Sequence, residues 1–180
     1  HDMSRILKRI AAGVVIAGVA ALLLAAGGYA AGARVNTTKS IPVGLYWTSS
    51  APVEKGAYVL FCPPQLGVFD DAKERGYIGA GFCLGGYGYM MKRVLAAKDD
   101  AVAVADDGVR VNGELLPLSA PIKADKAGRP LPRYQSNSYT LGNSEVLLMS
   151  DVSATSFDGR YFGPINRSQI KTVIRPVITW

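Results

Sequence analysis

The chain has almost no histidine: one in 180 residues, and that one, His1, stands before Met3. We expect Met3 to be the natural start, with His1 and Asp2 as residues added in cloning. A chain without histidine cannot form a Ser-His-Asp or Cys-His triad, nor a zinc site with several histidine ligands. The only cysteines, Cys62 and Cys83, cannot make a four-ligand cage. We therefore predict no metal and no cofactor, and any nucleophile needs another base.

The charge is modest and evenly distributed. Lys and Arg number 20 against 14 Asp and Glu, a net charge of +6, and 49% of the residues are hydrophobic. This composition suits one compact domain rather than a disordered chain. Because the cations form no basic block, we predict no nucleic-acid partner and a mild preference for an anionic membrane surface.

A long uncharged run stands near the start of the chain. Residues 10–33 contain no charged side chain and follow the basic residues Arg5, Lys8 and Arg9. A membrane span needs about 20 apolar residues, and positive residues stay in the cytoplasm. We predict a short cytoplasmic terminus, residues 1–9, and a single anchor that crosses the lipid bilayer through residues 10–33.

A cleavable secretory signal is the alternative, because Ala31-Gly32-Ala33 has the small-x-small form that signal peptidases cut. The apolar core of a signal is usually shorter than this run, about 7 to 15 residues, which favours a retained anchor. Either interpretation exports residues 34–180 as one domain.

The exported part has a β pattern: short apolar runs are separated by turn-forming residues. The predicted strands cover residues 44–48, 57–62, 89–95, 101–105, 109–112, 145–149 and 172–178. A short helix is expected at 69–75, an irregular Gly-rich insertion at 76–89 and a long surface loop at 119–143. The Asp-Asp-Gly and Asn-Gly turn signals within 101–118 predict a hairpin or meander.

Ser40 lies just outside the predicted anchor, in the run Ser40-Ile41-Pro42. Pro42 biases Ile41 toward extended geometry and Gly44 permits a turn, so the serine is expected on a stiff loop. An ordinary surface turn with a polar serine is the alternative.

Lys92 belongs to the predicted strand 89–95, where alternation places it on the same face as Met90 and Val94. That face is apolar, and desolvation lowers the pKa of an ammonium, as a lysine general base requires near neutral pH. The alternative is that the Lys92 amine reaches water while its stem packs.

A third segment, 148–165, combines hydroxyls, a carboxylate and a guanidinium. Asp158 and Arg160 are candidates for an ion pair that shapes the floor of a site, and Ser156 for a hydrogen bond to a neutral lysine. The alternative is an Asp-Gly turn with solvated charges. Cys62 and Cys83 are a possible disulfide in an oxidising compartment, with two free thiols as the alternative.

Together these segments resemble the signal peptidase I superfamily of Ser-Lys proteases, in order and across nearly all of the exported domain. The matching stretches are Ser40-Ile41-Pro42, the Lys-Gly strand 55–61, Met91-Lys92-Arg93-Val94, Val111-Asn112-Gly113, and the Ser-x-Asp-x-Arg-x-x-Gly box 156–163. The resemblance implies a signal-peptidase-like domain of antiparallel sheets with an irregular insertion. It implies that Ser40 and Lys92 are catalytic, that Thr38 supports the oxyanion, and that Ser156, Asp158 and Arg160 support the site.

The run from Ser40 to Tyr46, with Cys62-Pro63-Pro64, is similar to the TraF-type peptidases of conjugative plasmids. That resemblance implies a serine endopeptidase of the bacterial inner membrane with its catalytic domain in the periplasm. Its substrate would be the precursor of a TrbC-type conjugative pilin, whose C-terminal tail is removed as the pilin is closed head-to-tail.

Two other functions are compatible with the sequence. A general signal peptidase acting on exported preproteins is one, although Ile41 and the run 150–153 depart from the Met and the Gly-Asp-Asn-Arg usual in that group. The other is a non-enzymatic structural component of the mating channel, in which Ser40 and Lys92 are incidental.

Overall fold

The computed structural model describes residues 2–180, which form two compact units that meet between Arg34 and Val35. The first unit is dominated by helix α1, Asp2–Ala31. None of its side chains is buried, and it is long and apolar enough to cross a membrane. The helix begins eight residues before the start of the predicted span. It ends two residues before the end of that span, because Gly32 adopts a positive φ of 123°. A signal sequence near an N-terminus passes the same test of minimum length and hydropathy.

The remaining elements are short strands with two small helices. In chain order they are β1 (Ala33–Asn36), β2 (Gly44–Ser49), β3 (Tyr58–Phe61), α2 (Gly67–Glu74), β4 (Met90–Ala96), β5 (Ala101–Ala105), β6 (Gly108–Val111), β7 (Glu114–Leu115), β8 (Ser136–Thr140), β9 (Glu145–Met149), α3 (Gly159–Phe162), β10 (Ile165–Asn166) and β11 (Ile170–Thr179). A 3₁₀ turn at Arg167–Gln169 precedes β11.

The strands form two sheets. The larger has the order β1-β2-β11-β3-β4-β9-β10, and the smaller has the order β7-β6-β5-β8. Neighbouring strands pair antiparallel, as in β3 with β4 and β4 with β9. Every second side chain of β4 is buried, so one face of this strand points toward the core. The predicted mainly β fold of antiparallel sheets is thus confirmed.

Each predicted strand has a counterpart within about two residues at either end, and α2 begins two residues before the predicted helix. The turn at Asn112-Gly113 has φ values of 53° and 84°, the paired positive values that a two-residue hairpin turn requires. The insertion 76–89 contains no helix or strand, apart from one isolated bridge between Ala80 and Tyr87. A disulfide joins Cys62, just after β3, to Cys83 within the insertion.

The prediction of a long loop over 119–143 is wrong in part, because β8 forms within it and pairs with β5. This strand lies at the edge of the smaller sheet, and four of its five side chains are exposed. Its sequence, Ser-Asn-Ser-Tyr-Thr, therefore lacks the apolar alternation by which a strand is recognised.

Candidate active site

The loop that carries Ser40 is held by the amide of Asn36, the last residue of β1. Asn36 is only 3% exposed, and its Nδ2 donates hydrogen bonds to the carbonyls of Thr38 (2.8 Å), Ile41 (3.0 Å) and Pro42 (3.1 Å). Its Oδ1 accepts the backbone N–H of Thr38 at 3.1 Å. One buried side chain thus connects the carbonyls on both sides of Ser40, and the loop closes around it.

The residue after the serine fixes the loop on its other side. Ile41 is fully buried and packs in a small cluster with Tyr46, Leu60 and Ile174. The Tyr46 hydroxyl donates a 2.6 Å hydrogen bond to the Pro42 carbonyl, and burial raises the pKa of this phenol to about 12. Ser40 therefore lies between the anchored residues Thr38 and Ile41 while remaining partly exposed itself.

Lys92 lies on the inward face of β4 with Met90 and Val94, as the alternation predicts, and is 2% exposed. Its Nζ is 2.7 Å from Ser40 Oγ and 2.8 Å from Ser156 Oγ, and the two hydroxyl oxygens are 3.4 Å apart. The amine of Lys92 and the hydroxyls of Ser40 and Ser156 therefore form one cluster of mutual contacts. Lys92 is the polar member of the otherwise apolar inward face of β4. The alternative in which the Lys92 amine reaches bulk water is wrong.

Burial lowers the pKa of Lys92 from 10.5 to about 8. Two charges modify this effect in opposite directions: the Asp158 carboxylate raises the pKa, and the Arg160 guanidinium lowers it. Desolvation dominates because the amine has lost its water on almost every side. A substantial share of Lys92 is consequently neutral in mildly alkaline solution, which a proton acceptor requires.

Asp158 and Arg160 form a buried bidentate ion pair. Both side chains are 0% exposed; Arg160 Nε lies 2.8 Å from Asp158 Oδ1, and Nη2 lies 2.9 Å from Oδ2. Asp158 also accepts the Ser150 N–H, while Arg160 donates to the carbonyls of Leu118 and Ala154. The pair thus ties together three segments beneath the serine and lysine, and the alternative of solvated charges is wrong.

Two hydrogen-bond donors are candidates for binding a substrate oxygen at Ser40: the side-chain hydroxyl of Thr38 and the backbone N–H of Ser40 itself. The Thr38 hydroxyl donates to Asn36 Oδ1 at 2.9 Å, so it must turn away from Asn36 before it can donate to a substrate. Among residues 2–180, the Ser40 N–H forms no hydrogen bond with the protein. The backbone donor is therefore available, and the hydroxyl donor becomes available after rotation.

Two cavities open beside this cluster and share Thr38, Ser40, Tyr77 and Phe157 in their walls. One, of about 290 Å³, includes Lys92 and residues of β4 and the insertion; its other lining residues are Val35, Asn36, Thr37, Ile78, Gly79, Tyr89, Met90 and Met91. The other, of about 480 Å³, includes Ser156 and residues of the segment 122–131. Ser40 therefore lines both cavities and lies where they adjoin the lysine and serine cluster.

The sequence reasoning missed two contributors to this site. Asn36 carries no sequence signal for its role, because its partners are backbone carbonyls whose positions depend on the turn. The sequence predicts Tyr77 only as part of the irregular insertion, yet it lines both cavities. Among the described residues, no group of three Asp, Glu, His or Cys side chains is arranged to hold a metal ion.

Comparison with known proteins identifies a family for this chain. The family described as signal peptidase, peptidase S26, matches residues 3–180. The chain is 99% identical over 178 residues to a plasmid transfer protein TraF of Escherichia coli, covering 99% of this chain and 100% of that one. It is 35% identical over 171 residues to a conjugal transfer protein TraF of Agrobacterium fabrum, covering 94% and 92% of the two chains.

A signal peptidase I structure from Enterococcus faecalis superposes on 71% of this chain and 100% of its own, with a TM-score of 0.40 and 16% identity. The family match extends over both the apolar helix and the β domain. The chain therefore belongs to the signal peptidase family, peptidase S26, and within it to the TraF-type proteins of plasmid transfer.

Proposed function

We propose that this protein is a serine endopeptidase in which Ser40 is the nucleophile and Lys92 the general base. The observation that carries the proposal is the 2.7 Å contact between Ser40 Oγ and the Nζ of a lysine that is almost fully buried. A serine is a weak nucleophile unless an adjacent group accepts its proton. Lys92 has the position to do so, and its lowered pKa leaves part of it neutral.

The proposed reaction begins with neutral Lys92. As Ser40 Oγ attacks the scissile carbonyl, Lys92 Nζ takes the hydroxyl proton, and the ammonium then gives it to the leaving amine, which leaves an acyl-enzyme ester. Ser156 accepts from Lys92 at 2.8 Å and keeps the amine pointed at Ser40. The Ser40 N–H, joined by the Thr38 hydroxyl once it turns from Asn36, stabilises the oxyanion.

For the substrate, we propose the precursor of a TrbC-type conjugative pilin. The support is the similarity to proteins named for plasmid transfer and conjugal transfer, combined with a peptidase family and a serine beside a lysine. The enzyme would remove the C-terminal tail of the precursor through the ester on Ser40. The amino terminus of the same pilin would then attack this ester, forming the closing peptide bond and releasing Ser40.

We propose that the protein is anchored in the lipid bilayer of the bacterial inner membrane through residues 10–33, with its catalytic domain in the periplasm. Helix α1 has the length and composition of a span, and Arg5, Lys8 and Arg9 precede its apolar part. The disulfide between Cys62 and Cys83 also supports an oxidising compartment for the domain.

Co-expression with the pilin precursor tests the proposal, using the protein, its Ser40→Ala variant and a matched Ser138→Ala control on the exposed edge strand β8. We expect intact-mass analysis to show loss of the tail plus one further water with the protein and the control, and unprocessed precursor with Ser40→Ala. Tail loss without the further water would indicate hydrolysis to a linear product. Unchanged precursor in every strain would overturn the pilin assignment.

A further inference from the structure

The larger cavity beside Ser40 carries an excess of positive charge. Its walls include Lys39, Lys126 and Arg129 but a single carboxylate, that of Asp125. The cavity has a volume of about 480 Å³, enough for several residues of a peptide. Its charge therefore favours an anionic occupant if the one carboxylate is already engaged.

Asp125 is engaged by its own loop and by Tyr77. Its Oδ2 accepts from Arg129 Nε at 2.7 Å and from the Tyr77 hydroxyl, and its Oδ1 accepts the N–H groups of Ala127 and Arg129 at 2.9 Å. These hydrogen bonds, led by that of Tyr77, hold the pKa of the Asp125 carboxyl well below its usual range. Asp125 thus remains ionised and neutralises Arg129, which leaves the two lysines.

Lys39 and Lys126 are both exposed, and among the described residues neither forms an ion pair. Lys39 is adjacent in sequence to Ser40, whereas Lys126 comes from a separate loop, so two uncompensated ammonium groups approach one cavity from different elements. Two such cations at one cavity attract a carboxylate more strongly than either does alone.

The loop that carries Lys126 is held in place by several hydrogen bonds. Asp125 N–H donates to the Arg129 carbonyl, and Leu131 N–H donates to the Lys123 carbonyl. Arg75, at the end of α2, donates to the Pro130 carbonyl at 2.6 Å. Lys126 therefore extends from a defined turn at the cavity rather than from a loop without contacts.

Besides several hydroxyl side chains, the wall has an aromatic and aliphatic part formed by Tyr77, Ile122, Leu131, Phe157 and Tyr161. We propose that this cavity binds a carboxylate-bearing segment of the peptide substrate, with Lys39 and Lys126 as its electrostatic contacts and the aromatic wall packing against the chain. The carboxylate is either an acidic side chain or a free C-terminus. This inference rests on the proposed function, because it assumes that a peptide lies across Ser40.

Peptide binding to the full chain in neutral detergent tests the inference without requiring turnover. The Ser40→Ala variant is titrated with dye-labelled Ala-rich heptapeptides whose central residue is Glu or Gln, each with a free or an amidated C-terminus, and anisotropy gives Kd. We expect each carboxylate that fits the cavity to tighten Kd about three- to tenfold over the amidated Gln peptide. The amidated Glu and free-carboxyl Gln peptides separate the two sources of the carboxylate.

Charge-reversal variants assign the effect to this cavity. Lys126→Glu should abolish the preference for the carboxylate peptides, and Lys39→Glu provides a second, independent reversal. Lys123→Glu is the matched control: it lies on the same loop and is exposed, but does not line the cavity. It should retain the preference, which should weaken as salt is raised.

Equal Kd values for all four peptides, including no binding by any up to millimolar concentration, would overturn the inference. A preference that survives both Lys126→Glu and Lys39→Glu would overturn it as well. Neither result bears on the proposed chemistry, because labelling of Ser40 by an acylating agent and pilin maturation are measured with the unaltered protein. Conversely, failure of both those measurements with a retained carboxylate preference would overturn the proposed function alone.

Discussion

Lys92 Nζ lies 2.7 Å from Ser40 Oγ although the two residues are 52 positions apart in the chain. The contact joins a turn next to β1 with the inward face of β4, and both are fixed by packing that does not involve the partner residue. Ile41 anchors the turn, while Met90 and Val94 flank the lysine on its strand. A cluster held from both sides needs little reorganisation when a substrate arrives, which favours rapid proton transfer.

The first prediction concerns pH. Because burial lowers the pKa of Lys92 to about 8, the neutral amine gains population as pH rises through that value. We expect the rate of Ser40 acylation by an active-site-directed reagent to increase with pH and to reach half its maximum near pH 8. Intact-mass measurement of the labelled protein across pH gives the profile. A half-point near 10.5, the value of an exposed lysine, would contradict the assignment of Lys92 as the base.

The lowered pKa of Lys92 also makes the stability of the fold depend on pH. Between about pH 8 and 10.5 the unfolded chain binds a proton on Lys92 that the folded chain has lost. Stability contributed by this group therefore increases with pH across that window and is lowest below it, where the ammonium is buried. Lys92→Met removes the ammonium, so it should abolish acylation while its gain in melting temperature is greater at pH 7 than at pH 10.

A second prediction concerns the ion pair beneath the site. Asp158→Asn leaves the Arg160 guanidinium fully buried without its counter-charge, so we expect a loss of about 3 to 5 kcal/mol in the free energy of unfolding. Urea denaturation measures this loss. Asp107→Asn, which disrupts an exposed pair with Arg110, is the control and should change stability little.

Asp158→Asn should also change the chemistry in a direction that general destabilisation does not explain. The Asp158 carboxylate raises the pKa of Lys92 and Arg160 lowers it, so removal of the carboxylate lowers the pKa further. In the folded fraction, the half-point of acylation should move to lower pH, with slower but measurable turnover. An unchanged or higher half-point would show that the ion pair acts on the site through packing alone.

How far the sequence could predict this site depends on the kind of contact. The alternation of strand 89–95 indicates the buried face of β4, because burial of alternate side chains is a property of one strand. The order of the matching stretches places Ser40, Lys92 and Ser156 in one family pattern. Their distances come from sheet pairing between strands far apart in the chain, such as Val59 opposite Lys92, which no single segment specifies.

Contacts made through the backbone were not predictable in the same way. Asn36 holds three carbonyls whose directions are set only when the serine turn forms. The edge strand β8 depends on hydrogen bonds to β5 and buries little apolar surface, so its residues carry no pattern. In the larger cavity beside Ser40, Lys39 likewise lies near a loop that is more than 80 positions away in the chain. This proximity follows only from the complete fold.

A third prediction concerns the disulfide. The bond between Cys62 and Cys83 closes a loop with a sequence separation of 21, for which the chain-entropy model gives about 3 kcal/mol of stabilisation. Reduction, or the double variant Cys62→Ser with Cys83→Ser, should lower the melting temperature measured by calorimetry. Residues 76–89 contribute Tyr77 and Tyr89 to the cavity walls, so peptide affinity should also fall. An unaltered affinity would show that the insertion keeps its conformation without the bond.

The last prediction separates positioning of the nucleophile from stability of the fold. Asn36→Asp keeps an acceptor for the Thr38 N–H but replaces the Nδ2 donor, so the carbonyls of Thr38 and Ile41 lose this partner, while that of Pro42 keeps the Tyr46 hydroxyl. Unsatisfied buried carbonyls cost about 1 to 3 kcal/mol, and displacement of a nucleophile by about 1 Å costs roughly 100-fold in rate. We therefore expect acylation of Ser40 to fall about 100-fold with a modest decrease in melting temperature, while Asn137→Asp on the exposed strand β8 changes neither. The half-point of the pH profile should stay near 8, because Asn36 forms its hydrogen bonds with the serine loop and not with Lys92. A rate loss that disappears at high pH would instead mean that the new carboxylate acts by raising the pKa of Lys92.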